Sequence, residues 1–285
     1  MTKISALKKI LIIGVNSNVA ARLALLYLQD KVEVFGVIRQ CSNNVPAGVI
    51  LIDYDEAVRN AKEFDLVYLI AAYIPIGKVV DTMQLIESNI LLPAKVIRDF
   101  VDSRVVFTSS VAVYCNSVTV AKEDTATLSD TLYGQSKIMA ERLIAIHPNS
   151  VVLRISSIYG PDSHNTSFVT RIINQANESG VITLFGDGQR KQNYIFIDDV
   201  VDYLYRAGLG RMKGNFLAVS EISYSNKQIA DFVCKSSTGT VIEFKGTDDS
   251  PSFQYDNSLS RRVFDKKLNK EINKIIEELV NEKYA

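Results

Sequence analysis

The chain contains no tryptophan, two histidines, three cysteines and six prolines in 285 residues, and its 32 lysines and arginines are balanced by 32 aspartates and glutamates. A zero net charge argues against a nucleic-acid binder, which carries a basic excess. It leaves room for a local basic pocket gripping one phosphorylated ligand. Cys41, Cys115 and Cys234 are odd in number and far apart, so they make neither a disulfide framework nor a zinc ligand spacing. They read as reduced thiols of a cytosolic protein. His147 and His164 are too few for an imidazole metal site, and no metal is expected. The longest apolar run, Leu66 to Ile76, falls far short of the roughly 20 residues that a membrane span needs. Behind Lys3, Lys8 and Lys9, the run Ile10 to Val15 is too short for a signal-peptide core and has no cleavage site. The expectation is a cytoplasmic protein with neither a membrane nor a nucleic-acid partner.

Apolar residues make up 47% of the chain and charged residues 22%, ordinary values for a globular protein. From Lys9 onward, short apolar runs alternate with helical periodicity. Strands are expected at 9–14, 32–39, 49–53, 66–72, 104–110 and 151–157, and helices at 18–30, 81–100 and 131–147. Near-continuous apolar strands separated by helices indicate a parallel sheet covered on both faces. This is a doubly wound α/β fold of the Rossmann type. Beyond Pro161 the pattern loosens into helices at 166–180, 226–236 and 270–283, a strand at 181–188, and a strand running into a helix at 194–200. With no linker, the second half is expected to sit against the first across a cleft. Residues 1–162, joined by 195–220, would bind a dinucleotide. Residues 163–194 and 221–285 would form a smaller, mainly C-terminal α/β substrate domain.

The turn GVNSNVA, with Gly14, Asn16, Ser17, Asn18 and Val19, joins the first strand to the first helix. Small residues there let the backbone approach a pyrophosphate at the helix N-terminus. Ser17 adds a Cβ, although its hydroxyl could reach a phosphate. Arg39, with no acid at Ile38 or Gln40, suits the 2′-phosphate of NADP better than the bare ribose of NAD. Asp53, followed by Tyr54, could meet the adenine or equally cap a helix. The strongest signal is Tyr133 with Lys137 in YGQSK: spaced one helical turn apart, they share a face. A lysine ammonium beside a phenol lowers its pKa and suits it to proton exchange with a substrate oxygen. FTSSVAVY at 107–114 ends a predicted central strand with Ser109 and Ser110, where doubly wound folds place ligands.

These segments, with IAA at 70–72, Asn89, Glu141, LRISSIYGP, GDGQRKQNYIFIDDV and YDNS at 255–258, resemble the extended short-chain dehydrogenase/reductases of the NAD-dependent epimerase/dehydratase family, which modify nucleotide sugars. The resemblance implies Ser110 as the catalytic hydroxyl, Tyr133 as acid and base, and Lys137 as the residue that holds the ribose and tunes Tyr133. It places Ala71, Ala72, Asn89 and Ser156 on the cofactor side, and Tyr73, Ser157, Arg190 and Gln192 on the substrate side. It also implies a homodimer through paired long helices. The chain departs from the family pattern at three points. Ser17 replaces the usual middle glycine. Ser157 stands where an Asn often contacts the substrate diphosphate. Gln192 stands where an Arg often grips that group, with Arg190 close enough in sequence to take over.

Family members that remove water from the sugar carry an Asp-Glu pair after the catalytic hydroxyl. Here those positions are Val111 and Ala112, which argues against a dehydratase. An epimerase oxidising a sugar carbon transiently, at C4 by resemblance, ranks first. The alternative is an NADPH-dependent reductase of a 4-keto-6-deoxy nucleotide sugar, favoured by Arg39. A non-catalytic dinucleotide-binding protein is disfavoured because Ser110, Tyr133 and Lys137 are all present.

Overall fold

The computed structural model describes residues 7–40, 42–75, 80–161, 167–266 and 271–284. Lys3, Cys41, Ile76, His164, the expected 162/163 boundary and the predicted helix starts at 166 and 270 lie outside the described residues. In chain order the first half comprises β1 (Lys9–Ile13), α1 (Asn18–Gln29), β2 (Glu33–Val37), β3 (Ile50–Leu51), α2 (Tyr54–Arg59), β4 (Leu66–Leu69), α3 (Thr82–Ile86), α4 (Leu92–Asp99), β5 (Arg104–Ser110), β6 (Val120–Ala121), α5 (Leu132–Ile144), β7 (Ser150–Ile155) and β8 (Ser157–Tyr159). The second comprises α6 (Phe168–Ser179), β9 (Val181–Phe185), β10 (Lys191–Phe196), α7 (Ile197–Leu209), β11 (Gly214–Ala218), β12 (Ser223–Ser225), α8 (Asn226–Ser236), β13 (Val241–Lys245), β14 (Gln254–Tyr255), α9 (Ser258–Val263) and α10 (Ile272–Tyr284).

Seven parallel strands form the main sheet in the order β3-β2-β1-β4-β5-β7-β11. Side chains alternate across each strand, so Ile10 and Ile12 of β1 pack with Leu23 and Tyr27 of α1 and Leu204 of α7. Leu11 and Ile13 pack with Val96 of α4 and Ala140 and Ile144 of α5 on the other face. Both faces are covered, which is why the strands read as unbroken apolar runs. Strand order reverses between β1 and β4, and ligands of such sheets bind beyond the strand carboxyl ends at that point. A separate apolar cluster joins α6, β9, α8 and α10.

Several expected elements are corrected. The strand predicted over 49–53 shrinks to Ile50–Leu51 because Asp53 instead caps α2. The helix expected over 81–100 is interrupted by a π-turn at Glu87–Leu91. Pro93 has no N–H for the Asn89 carbonyl and its ring crowds that turn, so the backbone widens there. The strand expected over 151–157 divides: β7 stays in the main sheet, whereas β8 pairs with β10. β11, which the sequence reading did not expect, adds the edge strand beside β7.

Candidate active site

β1 ends at Gly14, whose φ of +91° favours glycine, and a Cβ there would stand 2.7 Å from the Ala71 nitrogen. The turn after β1 and the segment after β4 therefore close on each other, backbone against backbone. Ser17 is the N-cap of α1 at φ −77°, ψ 150°, and its Oγ accepts from the Ala20 N–H at 3.3 Å. That conformation suits any residue, so the serine replaces glycine without backbone strain and supplies a cap. Asn44, which no sequence signal marks, donates from Nδ2 to the Asn16 carbonyl at 3.0 Å and to Asn18 Oδ1 at 2.8 Å, pinning the turn. Val19 is half-buried on α1.

Arg39 lies just past β2. Its guanidinium faces the side-chain amide of Gln84 on α3, whose oxygen accepts from Nη1 and Nη2 at 2.6 Å in the orientation that satisfies both groups. Nε and the second proton of each Nη stay available to a ligand. Asp53 Oδ1 accepts from the Glu56 N–H at 2.7 Å, the helix-cap alternative of the two readings. The Tyr54 side chain turns away, its hydroxyl donating to Asp99 at 3.1 Å and its ring packing edge-on against Phe100.

Asn89 is buried in the π-turn, where Oδ1 accepts from the Tyr73 N–H at 2.8 Å and Nδ2 donates to the Tyr73 carbonyl at 2.9 Å. The same Nδ2 donates to Ser136 Oγ at 3.1 Å, and Ser136 donates to the Tyr133 carbonyl at 2.7 Å. One amide thus ties the segment of Ala71, Ala72 and Tyr73 to the start of α5.

Tyr133 occupies the first turn of α5, capped by Thr131, whose Oγ1 accepts from the Gly134 N–H at 3.0 Å. A Cβ on Gly134 would overlap Ser129 Oγ and the Ala112 carbonyl, so glycine lets the helix press onto the turn after β5. That approach brings the Tyr133 phenol within hydrogen-bonding reach of Ser110, whose Oγ also accepts from the Ala112 N–H at 3.1 Å. Burial pushes the phenol up to about 12, against a smaller lowering by Ser110. One turn on, Lys137 is 2% exposed, donates from Nζ to the Thr108 carbonyl at 2.9 Å, and sits 6.0 Å from the Tyr133 ring centre. Burial lowers its ammonium to about 8, partly opposed by the negative charge of Glu141. Glu141, the next residue along this face, accepts from Ser109 Oγ at 2.6 Å and pairs with Arg154 at 2.7 Å. Ser110, Tyr133 and Lys137 thus form one cluster at the carboxyl end of β5.

Ser156 leads away from β7, its Oγ donating to Asn193 Oδ1 at 2.8 Å. Ser157, Arg190 and Gln192 line a cavity of about 420 Å³, whereas Tyr73 does not. The cavity also takes in Arg171 of α6, which the sequence reading missed. Among the described residues, no cluster of His, Cys, Asp or Glu could hold a metal ion, and no helix is long and apolar enough to cross a membrane.

Comparison with known proteins follows the same lines. The chain is 24% identical over 244 residues to a dTDP-D-glucose 4,6-dehydratase of Dictyostelium discoideum, covering 71% of this chain and 56% of that protein. It is 34% identical over 107 residues to the dTDP-4-dehydro-6-deoxyglucose reductase of Escherichia coli, covering 34% of each. The chain thus spans about half or less of the length of these curated relatives. The crystal structure of a UDP-glucuronic acid 4-epimerase from Bacillus cereus in complex with NAD superposes with a TM-score of 0.83 at 19% identity, covering 97% of this chain and all of that one, which shows the fold. Residues 10–210 match the profile of the NAD dependent epimerase/dehydratase family, and with most of its length inside that match, the chain belongs to this family.

Proposed function

We propose that the chain is an NAD(P)-dependent nucleotide-sugar epimerase that oxidises a sugar carbon transiently, at C4 by its resemblance, through Ser110, Tyr133 and Lys137. The observation that carries this reading is the cluster at the end of β5. A half-buried phenol lies beside the Ser110 hydroxyl and the buried Lys137, and the positions after Ser110, Val111 and Ala112, hold no proton-carrying group. That last feature argues against a water-eliminating enzyme, which needs a further acid and base.

The Gly14 cradle, with Asn16, Ser17, Asn18 and Val19, fits a dinucleotide pyrophosphate, and Ala71, Ala72 and Lys137 would flank the rest of it. When bound, the nicotinamide supplies the acceptor and donor of hydride. Tyr133 exchanges the hydroxyl proton with the sugar oxygen, first as base and then as acid. Ser110 orients that oxygen. In its charged form Lys137, 6.0 Å from the Tyr133 ring centre, would favour the phenolate, as the resemblance implies. On the far side, Ser157, Arg190 and Gln192 border the cavity read as the place of the nucleotide diphosphate.

The second reading, a reductase of a 4-keto-6-deoxy nucleotide sugar, is favoured by Arg39 at the end of β2 with no acid beside it. A homodimer and a cytoplasmic location belong to the same proposal. Leu132 and Met139 stand exposed on α5, and light scattering reads the oligomeric state.

The deciding experiment incubates the protein with UDP- and dTDP-sugars and follows products by NMR, with and without stoichiometric NADPH. Epimer formation without net cofactor consumption supports the first reading; NADPH oxidised one-for-one with a 4-keto sugar transfers the assignment to the reductase. In either case Tyr133→Phe lowers turnover by roughly 100-fold or more while leaving the melting temperature unchanged. Full activity in that variant rules out both.

A further inference from the structure

Glu141 follows Lys137 by one turn of α5, where side chains four residues apart are neighbours. Its carboxylate makes no ion pair with that lysine. Instead Arg154 of β7 holds both oxygens: Nε donates to Oε1 at 3.0 Å and Nη2 to Oε2 at 2.7 Å, fork against fork. Ser109 Oγ adds a hydrogen bond to Oε1 at 2.6 Å. The third guanidinium nitrogen, Nη1, donates to the Tyr114 hydroxyl at 2.8 Å and to the Glu123 carbonyl at 3.0 Å. Both charged side chains are nearly sealed from water, 4% exposed for Arg154 and 6% for Glu141. Lys137 is equally buried and points elsewhere, with Nζ on the Thr108 carbonyl at 2.9 Å. Among the described residues it has no carboxylate in ion-pairing range.

Two buried cations thus neighbour one buried carboxylate, and only one of them takes it. The guanidinium prevails because its planar fork matches both oxygens, whereas an ammonium is a point charge. A carboxylate left unclaimed in so dry a site draws in the next cation, since attraction between charges grows as water is excluded. That cation is Lys137, and the pairing would take Nζ off the Thr108 carbonyl and away from the Tyr133 phenol. We propose that Arg154 is a positioning residue: by occupying Glu141 it keeps the Lys137 ammonium free for the phenol and the dinucleotide. This rests on the reading above, in which Lys137 serves both. Arg154 itself has no hydrogen bond to Tyr133 or Lys137 and acts on them through Glu141.

The consequence is conditional: Arg154 matters to Lys137 only while residue 141 carries a carboxylate. Fluorescence titration of the full chain with NADH and NADPH reads the hold of Lys137 on the cofactor, and thermal melts read the fold. Arg154→Met is expected to weaken dinucleotide binding by roughly tenfold or more, as Lys137→Met does. Adding Glu141→Gln to Arg154→Met removes the competing carboxylate and is expected to restore affinity to within about threefold of Glu141→Gln alone. If Arg154→Met does not stay folded, the comparison of Glu141→Gln with the double variant still decides, since neither holds an unpaired buried carboxylate. A double variant that binds far more weakly than Glu141→Gln means that Arg154 works by anchoring Tyr114 and the Glu123 carbonyl, and overturns the proposal. So does an Arg154→Met that binds like the wild type while Lys137→Met does not. If Lys137→Met itself binds like the wild type, the reading of Lys137 fails and takes the proposal with it.

Discussion

At the scale of single residues, Lys137 shows the tension between activity and stability. Burial brings its ammonium from its ordinary value of 10.5 to about 8, which costs about 3 kcal/mol at neutral pH. The Thr108 carbonyl returns part of this, a hydrogen bond to a charged donor contributing about 1.5–3 kcal/mol. Lys137→Met is therefore expected to match or exceed the wild type in stability at pH 7 while losing turnover. The sign in pH follows from linkage: between about 8 and 10.5 the unfolded chain holds the proton that the folded chain has released, so wild-type stability from this group rises with pH. Urea melts at pH 7.5 and 10 check this. The gap between wild type and variant should move in favour of the wild type at the higher pH, and a constant gap contradicts the assignment. Arg39 gives a second test. If its free guanidinium protons meet a 2′-phosphate, Arg39→Ala weakens NADPH binding by roughly 10- to 100-fold and leaves NADH nearly unchanged. Equal weakening of both would place Arg39 elsewhere, for instance in holding α3 through Gln84.

At the scale of elements, the β1–α1 turn separates what glycine must do from what it need not. Gly14 has a positive φ and no room for a side chain, so Gly14→Ala is expected to destabilise the protein by roughly 1–3 kcal/mol and to abolish dinucleotide binding. Ser17→Gly should bind dinucleotide like the wild type and lose only a few tenths of a kcal/mol, because glycine is itself an acceptable N-cap. Fluorescence titration with NADH, beside thermal melts, distinguishes the two. The contrast also shows why the turn was only partly legible. Small residues marked the turn, but the comparison with a glycine pattern could not reveal that position 17 has ordinary backbone angles. The grouping of Ser110, Tyr133 and Lys137 was legible because Tyr133, Lys137 and Glu141 repeat along one helix face and Ser110 ends an apolar strand. The π-turn was not, since an apolar periodicity continues through it. Likewise Asn44 is a surface-type residue whose partners, Asn16 and Asn18, are set by tertiary contact alone.

On the scale of the whole molecule, the return of the chain to the main sheet depends on a buried charge. Lys266 is 5% exposed, and its Nζ sits 2.8 Å from Asp199 Oδ1 and 2.7 Å from Asp202 Oδ2, both on α7. Asp199 is 2% exposed, whereas Asp202 is half-exposed and also pairs with Arg206 at 2.9 Å. Nothing in the sequence signalled that a lysine so distant along the chain would neutralise Asp199. With α9 packed along β11, this pair locks the segment after β14 onto the helix that crosses behind the sheet. Removing only the cation leaves a carboxylate stranded in a low-dielectric site, so Lys266→Met should cost roughly 3–5 kcal/mol. Lys266→Met combined with Asp199→Asn removes both buried charges and is expected to recover most of that loss, since a buried pair contributes little net stability over a neutral replacement. Denaturant melts of the two variants decide it. A double variant no more stable than the single one would mean that Lys266 acts through packing of its methylene stem over Tyr203 rather than through its charge.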